Sequence, residues 1–481
     1  MKHFLEWSAQ HVRPEEPWLI LGKGPSFALR SRYDLSGYHL LSLNHAVREQ
    51  SVLVAHAIDL NVVEACADVL EFQTRFLVLP WYPHVDNQPG TLSVDELRPN
   101  FPLLQRLADA GRLLWYDLST SPVRHGPGPV VQATYFSAEA ALNLLALAGV
   151  HRIRTLGVDG GTTYSNDFDD LKDKTLLANG RPSFDVQFQG FARTILETGV
   201  DVATLQAPSP VRIYVAHTEE EELPVAVLRH SVRRHASLSV EFVTLPAGSV
   251  SSDHGETPAI VLSPRAHCVA DVRPLWMGGV GEGEIATPVD SPRYGDAIGL
   301  ALVGTGCGSE VGHLARLLRA GSSAARLGAL RPATRARLGS EWNPDTKFQA
   351  GRSRFVRYPP DGSEPWLSRT NPVGHLWVRD LLDAITRGTI GVDLLAAAIR
   401  RGHVRPSLGY QVEHRIEEPL LLPRRARLLD RGFRPPEGVP VGRQRLAATS
   451  VALAQALARC VERRVREYRA QSIRRMLAAN R

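Results

Sequence analysis

Gly22, Lys23, Gly24, Pro25 and Ser26 directly follow the apolar run Trp18–Leu21. Glycines after a strand allow a sharp turn and let backbone N–H groups face an anion such as a phosphate. The run lacks the Gly-Lys-Ser/Thr ending of a Walker A loop, and the G-x-G-x-x-G dinucleotide fingerprint is incomplete. Asn44, Asp59 and Asp159 each close another apolar run. Ligands of open parallel sheets sit outside the carboxyl ends of the strands, so these polar tips are expected to converge on one crevice. Taken singly, each is equally a capped turn or a helix N-cap. Moving a proton to or from a reacting hydroxyl or a departing phosphate needs a titratable side chain. His45, His56, His84, His125 and Asp159 are the candidates, and His84 and His125 stand in Pro- or Gly-flanked loops. Asp159, His125 and His84 are taken as the catalytic set. Tyr164, in the loop after Gly160 and Gly161, offers its hydroxyl to a phosphate.

The elements that must position these residues follow from periodicity. Short apolar runs at 18–22, 39–44, 51–59 and 75–80 alternate with helix-like stretches such as 61–72, the pattern of a parallel sheet with helical crossovers. One helix is expected near 101–111 and another over 137–150, ending at Gly149. A strand over 152–159, a polar loop over 164–183, a helix over 185–198 and a strand over 201–205 follow. Ala207-Pro208-Ser209-Pro210 reads as a linker. The pattern then restarts with a strand at 211–218, a helix at 223–236 and a strand at 240–246. The stretch 277–340 is rich in Gly and Arg and is left unassigned, helices are expected at 373–388 and 391–401, and 415–445 reads as irregular. The fold class is α/β, with two tandem Rossmann-like, glycosyltransferase-type domains (1–207 and 211–400) and a basic extension (401–481) carrying a long C-terminal helix.

Leu19 to Phe27, Ser42 to Val47, Ala55 to Asn61, the Ala-rich helix and Ile153 to Gly161 resemble, in order, the core of bacterial sialyltransferases of glycosyltransferase family 42. They also resemble the motility-associated-factor glycosyltransferases, a wider group that includes a pterin diphosphokinase. The resemblance implies that Gly22, Gly24, Pro25, Ser26 and Asn44 contact a cytidine nucleotide. Lys23 stands where the family has Asn, and its amine suits a phosphate.

The segment 211–385 is similar to family 8-type glycosyltransferases, through the strand and helix from Val211 to His235 and the Trp342-Asn343 to Leu376-Trp377 block. Those enzymes hold Mn²⁺ with an Asp-x-Asp and a later His. Here Pro264, Arg265 and Ala266 occupy the first position, on an expected strand at 259–276, and Arg357 the second. The implied domain is metal-free, with Arg265 and Arg357 free to pair with phosphate directly, or else a structural or acceptor-binding relic. Asp271 and Asp290 are weaker ligands. Trp342, Trp366 and Trp377 read as core or as sugar-stacking rings.

Composition bounds the rest. The 481 residues are 43% hydrophobic and 22% charged with a net charge of +6, which suits two or three folded domains handling anionic ligands. The charge is too diffuse for a nucleic-acid partner. Cys66, Cys268, Cys307 and Cys460 form no Cys-x-x-Cys pair, favouring a reducing compartment. No secretory signal or membrane span is expected, so the location is cytoplasmic. Leu453, Leu457, Val461, Val465 and Tyr468 make one stripe of the last helix among many arginines. That helix packs on the body, pairs in a dimer, or lies peripherally on the inner membrane face.

The expected function is transfer of a sugar from a nucleotide-sugar donor, CMP-sugar favoured, to a glycan or lipid-linked acceptor, with no metal cofactor in the first domain. The alternatives are a Mn²⁺-dependent UDP-sugar transferase using the second domain, a non-catalytic glycan-binding scaffold, or a phosphotransferase.

Overall fold

The computed structural model describes residues 1–246, 257–288, 299–320, 334–342, 348–436 and 456. Asp290, Cys460 and, apart from Ala456, the 446–478 helix with its apolar stripe lie outside the described residues. The chain forms two compact units. One comprises Met1–Val211 with Arg233–Glu241 and Asp271–Gly278; the other comprises Arg212–Val232, Phe242–Ala270 and Gly279–Arg481.

The first unit is α/β, built on a large parallel sheet. Its strands are β1 (Lys2–His3), β2 (Trp18–Leu21), β3 (His39–Leu43), β4 (Val52–His56), β5 (Thr74–Pro80), β8 (Leu113–Tyr116), β9 (Arg152–Leu156) and β10 (Asp201–Thr204), with a small hairpin of β6 (His84–Val85) and β7 (Gln88–Pro89) outside it. Their order is β1-β8-β5-β4-β3-β2-β9-β10, and every pairing is parallel. Side chains of a strand alternate between its faces. Trp18 and Ile20 therefore enter the core covered by the helices Phe4–His11, Ser137–Leu147 and Gln187–Thr198. Leu19 and Leu21 enter the opposite core with Phe27, Val63, Leu70 and Leu104. Burial on both faces explains why β2 is a continuous apolar run rather than an alternating one; each buried Leu or Ile contributes about 1.5–3 kcal/mol.

The chain leaves β2 towards one face, through the 3₁₀ turn Pro25–Arg32. After β9 the chain first packs Tyr164, Phe168 and Leu171 into that same core and then crosses to the helix Gln187–Thr198 on the other face. Since β2 and β9 are neighbours, the crossovers diverge between them, at the topological switch point where α/β sheets bind ligands.

Several local expectations change. The 61–72 helix is two short helices, Leu60–Ala65 and Ala67–Gln73, broken at Cys66. Helix Phe4–His11, strand β8 and the 84–89 hairpin were not anticipated by periodicity, because each is too short for a period to register.

The second unit's sheet runs β12-β11-β13-β16-β15-β17, from β11 (Val211–His217), β12 (Val240–Pro246), β13 (Ala259–Leu262), β15 (Glu284–Pro288), β16 (Leu300–Val303) and β17 (Thr334–Leu338). It is mixed rather than all-parallel: β16 is antiparallel to both β13 and β15. The single strand expected at 259–276 is three elements. Beyond β13 lies β14 (Ala266–Cys268), which pairs with β18 (Phe355–Arg357), and then the helix Arg273–Gly278. Pro264 has no N–H to continue a ladder. Trp342, Trp366 and Trp377 are all buried, as core residues. Among the described residues no helix is long and apolar enough to cross a membrane.

Candidate functional site

At the switch point two glycine turns are laced together. Gly22 N–H donates to the Leu156 carbonyl (2.8 Å) and Gly24 N–H to the Gly157 carbonyl (2.7 Å). Ser26 donates its N–H and its hydroxyl to the two oxygens of Asp159, at 2.7 and 2.5 Å, and its Oγ accepts from Gly157 N–H at 2.7 Å. A Cβ on Gly24 would stand 2.6 Å from Asp159 Oδ2, and one on Gly22 would overlap the Gly157 carbonyl. Gly22 is thus required by backbone meeting backbone, and Gly24 by the Asp159 carboxylate together with the Gly157 carbonyl. Gly157 has the further constraint of φ +74°, a conformation costly for any residue with a Cβ.

Beside this seam opens a cleft of about 780 Å³. It is bordered by the expected Gly22, Lys23, Gly24, Asn44, Asp59, His84, Asp159 and Tyr164, and by His45. Ser26 is 6% exposed and underpins Asp159 instead of bordering the cleft, while Pro25 is exposed outside it. His125 is also outside; its ring stacks on Trp81 at 3.8 Å and its N–H is held by Asp117. His56 is buried, bonded to the Tyr116 hydroxyl at 2.9 Å, and held neutral, its pKa pushed down to about 3 by burial. It does not reach the cleft.

Asn44 sits at φ +53°, and Ser137 donates to its side-chain oxygen at 3.3 Å. Of the five non-glycine residues with positive φ among those described, Asn44, Asp86, Asn87 and Leu177 border this cleft, and such strain concentrates at functional sites. Asp59 caps the helix Leu60–Ala65 through Asn61 N–H (2.9 Å) and accepts from Asn87 N–H (2.6 Å). The Asn61 and Asp86 side chains complete the clamp on the hairpin turn. His84 Nε2 lies 3.1 Å from the Thr120 hydroxyl. Partial burial lowers the His84 pKa against the opposing pull of Asp59, favouring the neutral imidazole.

Positive charge and aromatic rings occupy another part of the wall. Lys23 Nζ stands 4.3 Å from the Tyr164 ring centre. Burial draws the Lys23 pKa down to about 8, helped by nearby Arg48 and opposed by Cys66 and Asp170. Arg48 pairs with Asp170 at 2.9 Å. Tyr164 stacks near Phe184, Phe184 meets Phe136 edge-on, and Arg181 lies 3.7 Å above Tyr135. The Tyr164 ring, rather than its hydroxyl alone, therefore faces the expected phosphate ligand Lys23.

Arg48, Asn61, Asp86, Asn87, Tyr135 and Arg181 were missed from the sequence, although the turn-forming Asp86-Asn87 pair was a usable signal. Arg273 was missed too. It is 4% exposed, donates to the Val158 carbonyl at 2.8 Å and stacks on Phe188 at 4.0 Å, so it supports the glycine seam from behind. Asp271 takes no part as a ligand in this arrangement: it accepts from Ser237 and from Arg273 N–H.

Arg265 and Arg357 belong to the second unit. The Arg265 guanidinium pairs with Glu364 (3.3 Å) and Glu221 (3.4 Å) and donates to the Arg319 carbonyl (2.7 Å). Arg357 is 6% exposed in β18, opposite Ala266. Among the described residues no group of three or more His, Cys, Asp or Glu is placed to hold a metal ion.

No known family profile matches the chain, and no curated protein matches it. Among solved structures it is similar to one described as the apo form of the bifunctional glycosyltransferase WbbM, at 10% identity and a TM-score of 0.27. That likeness spans 46% of this chain and 60% of the other, too loose for residue roles to pass between them.

Proposed function

We propose that the first unit is a glycosyltransferase domain that takes a nucleotide-sugar, CMP-sugar in preference, and passes the sugar to a hydroxyl of a glycan or lipid-linked acceptor. The observation that carries this reading is the convergence of Asn44, Asp59, Asp159 and the glycine turns on one cleft at the sheet's switch point. Its aromatic wall suits a nucleobase. Lys23, Arg48, Lys174 and Arg181, all bordering the cleft, supply the positive charge that a leaving phosphate needs without recourse to a metal. Both oxygens of Asp159 are engaged by Ser26, so Asp159 acts as a positioning group. His84 is the better base: a neutral imidazole at the cleft wall can accept the acceptor's proton. The second unit serves as a structural or acceptor-binding module, consistent with Arg265 being engaged by Glu221 and Glu364.

Thermal-shift titration with CMP, UDP and their sugars, with and without Mn²⁺, tests this. The expected result is stabilisation by CMP without metal, abolished in Asn44→Ala. Stabilisation by UDP only with Mn²⁺ would transfer the activity to the second unit, and no response to any nucleotide would leave a scaffold. His84→Ala is expected to keep CMP binding and lower kcat by about 10²–10⁴-fold.

A further inference from the structure

The glycine turn has the look of a phosphate cradle, but three of its N–H donors are already taken. Gly22, Gly24 and Ser26 direct their N–H groups to Leu156, Gly157 and Asp159. A ligand's anion is therefore met chiefly by side chains. Three basic ones come together where the seam borders the cleft. Lys23 projects from the turn itself, and His45 and Arg48 come from the 3₁₀ turn Asn44–Arg48. His45 is 3% exposed, and its Nδ1 finds no hydrogen-bond partner among the described residues, an arrangement that costs stability unless something completes it. Its pKa is pushed down to about 3 by burial, with Lys23 and Arg48 adding to the effect, so the ring is neutral and can offer a single N–H.

We propose that Lys23, His45 and Arg48 together bind the phosphate of the cleft's ligand, and that this phosphate takes the place of Asp170 on Arg48. The proposal deepens the nucleotide-sugar reading and rests on it for the ligand's identity. Asp170 is exposed and held ionised by its hydrogen bond from Arg48. It is an internal stand-in for the anion, and releasing it to water costs little because exposed ion pairs contribute little. It belongs to the 3₁₀ segment Asn166–Leu171, so the exchange couples occupancy of the site to the loop bordering the cleft.

The arrangement makes binding sensitive to pH. The groups facing Lys23 are Tyr164 and Asp159 after β9, His45 and Arg48 after β3, Cys66 between its two helices, and Asp170. The Cys66 thiol, pushed up to about 11 by burial, stays neutral. With its pKa near 8, Lys23 loses its charge above that pH when no ligand is bound, while a bound phosphate holds the proton on. Affinity therefore falls as pH rises through about 8. For CMP, a phosphate monoester, it also falls on the acid side, below the second phosphate ionisation near about pH 6; the diester phosphate of a CMP-sugar has no such ionisation.

Calorimetric titration of the full chain with CMP and with inorganic phosphate, between about pH 7 and about pH 9.5, reads this directly. Lys23→Met is expected to weaken CMP about ten- to a hundredfold at neutral pH. Lys23→Arg should retain binding and flatten the alkaline fall, and its retained binding also shows that the fold survives substitution there. Asp170→Asn should tighten CMP by a few fold. CMP affinity equal in wild type and Lys23→Met, with the same pH profile, would overturn the phosphate site while leaving the nucleotide reading intact. Phosphate binding that depends on Lys23, with no gain from the nucleoside, would keep the site and sink the nucleotide reading. If wild type binds neither probe, both fall.

Discussion

In the first unit β2 and β9 run into glycines whose backbones meet at 2.7 Å, with a cleft of about 780 Å³ beside them. In the second unit β13 runs into Ser263, Pro264 and Arg265, and the arginine is drawn into ion pairs with Glu221 and Glu364. Both are turns at the end of a buried strand. The first joins through backbone bonds and the short Ser26 and Asp159 side chains, which leaves Lys23 at the cleft wall. The second joins through long charged side chains that satisfy one another. Small residues at strand ends thus preserve a site, whereas mutually paired charges occupy the equivalent place.

Substitutions can break or sharpen that contrast. The largest effect is expected at the seam: Gly22→Ala forces its Cβ onto the Gly157 carbonyl and should cost above about 3 kcal/mol by overpacking against backbone, read as a lower urea midpoint with loss of the CMP response. Retained stability would mean the two turns separate easily. Arg265→Ala comes next, at about 2–3 kcal/mol, less than a fully buried pair because the arginine is partly exposed. Burial already raises the Glu364 pKa, and losing Arg265 raises it further. A carboxyl raised in the folded state destabilises once it ionises, so the variant's deficit should be full above that raised value and shrink as pH falls through it towards 4.5. A deficit independent of pH would show that Glu364 is not the group left unpaired. Ser26→Ala removes the hydroxyl shared by Asp159 and Gly157 and should cost about 1–2 kcal/mol. The smallest effect is expected at the rim: Arg181→Ala removes a cation over the exposed Tyr135 ring and should change stability by only about 0.5 kcal/mol. A larger change would make the rim part of the scaffold.

Much of the first sheet was legible because strands buried on both faces must be apolar, and Trp18–Leu21 and residues 76–80 are. Asn44, Asp59 and Asp159 were legible as strand-end residues, since a polar residue ending an apolar run has few other places to be. Their roles were not. Asp159 reads as a free carboxylate until Ser26, 133 residues earlier, is seen to occupy both of its oxygens. His56 and His125 look like His84 in the sequence, but one is sealed against Tyr116 and another stacked on Trp81.

Local pattern alone determined that the chain is α/β, where its main strands lie to within a few residues and which polar residues follow them, because backbone propensity and burial act over a few neighbours. Which donors are taken, which of these histidines borders the cleft, and that Arg273 supports a turn 115 residues away were decided only by tertiary structure. Hydrogen bonds and desolvation depend on which groups end up within about 3 Å, and separation along the chain carries no record of that distance.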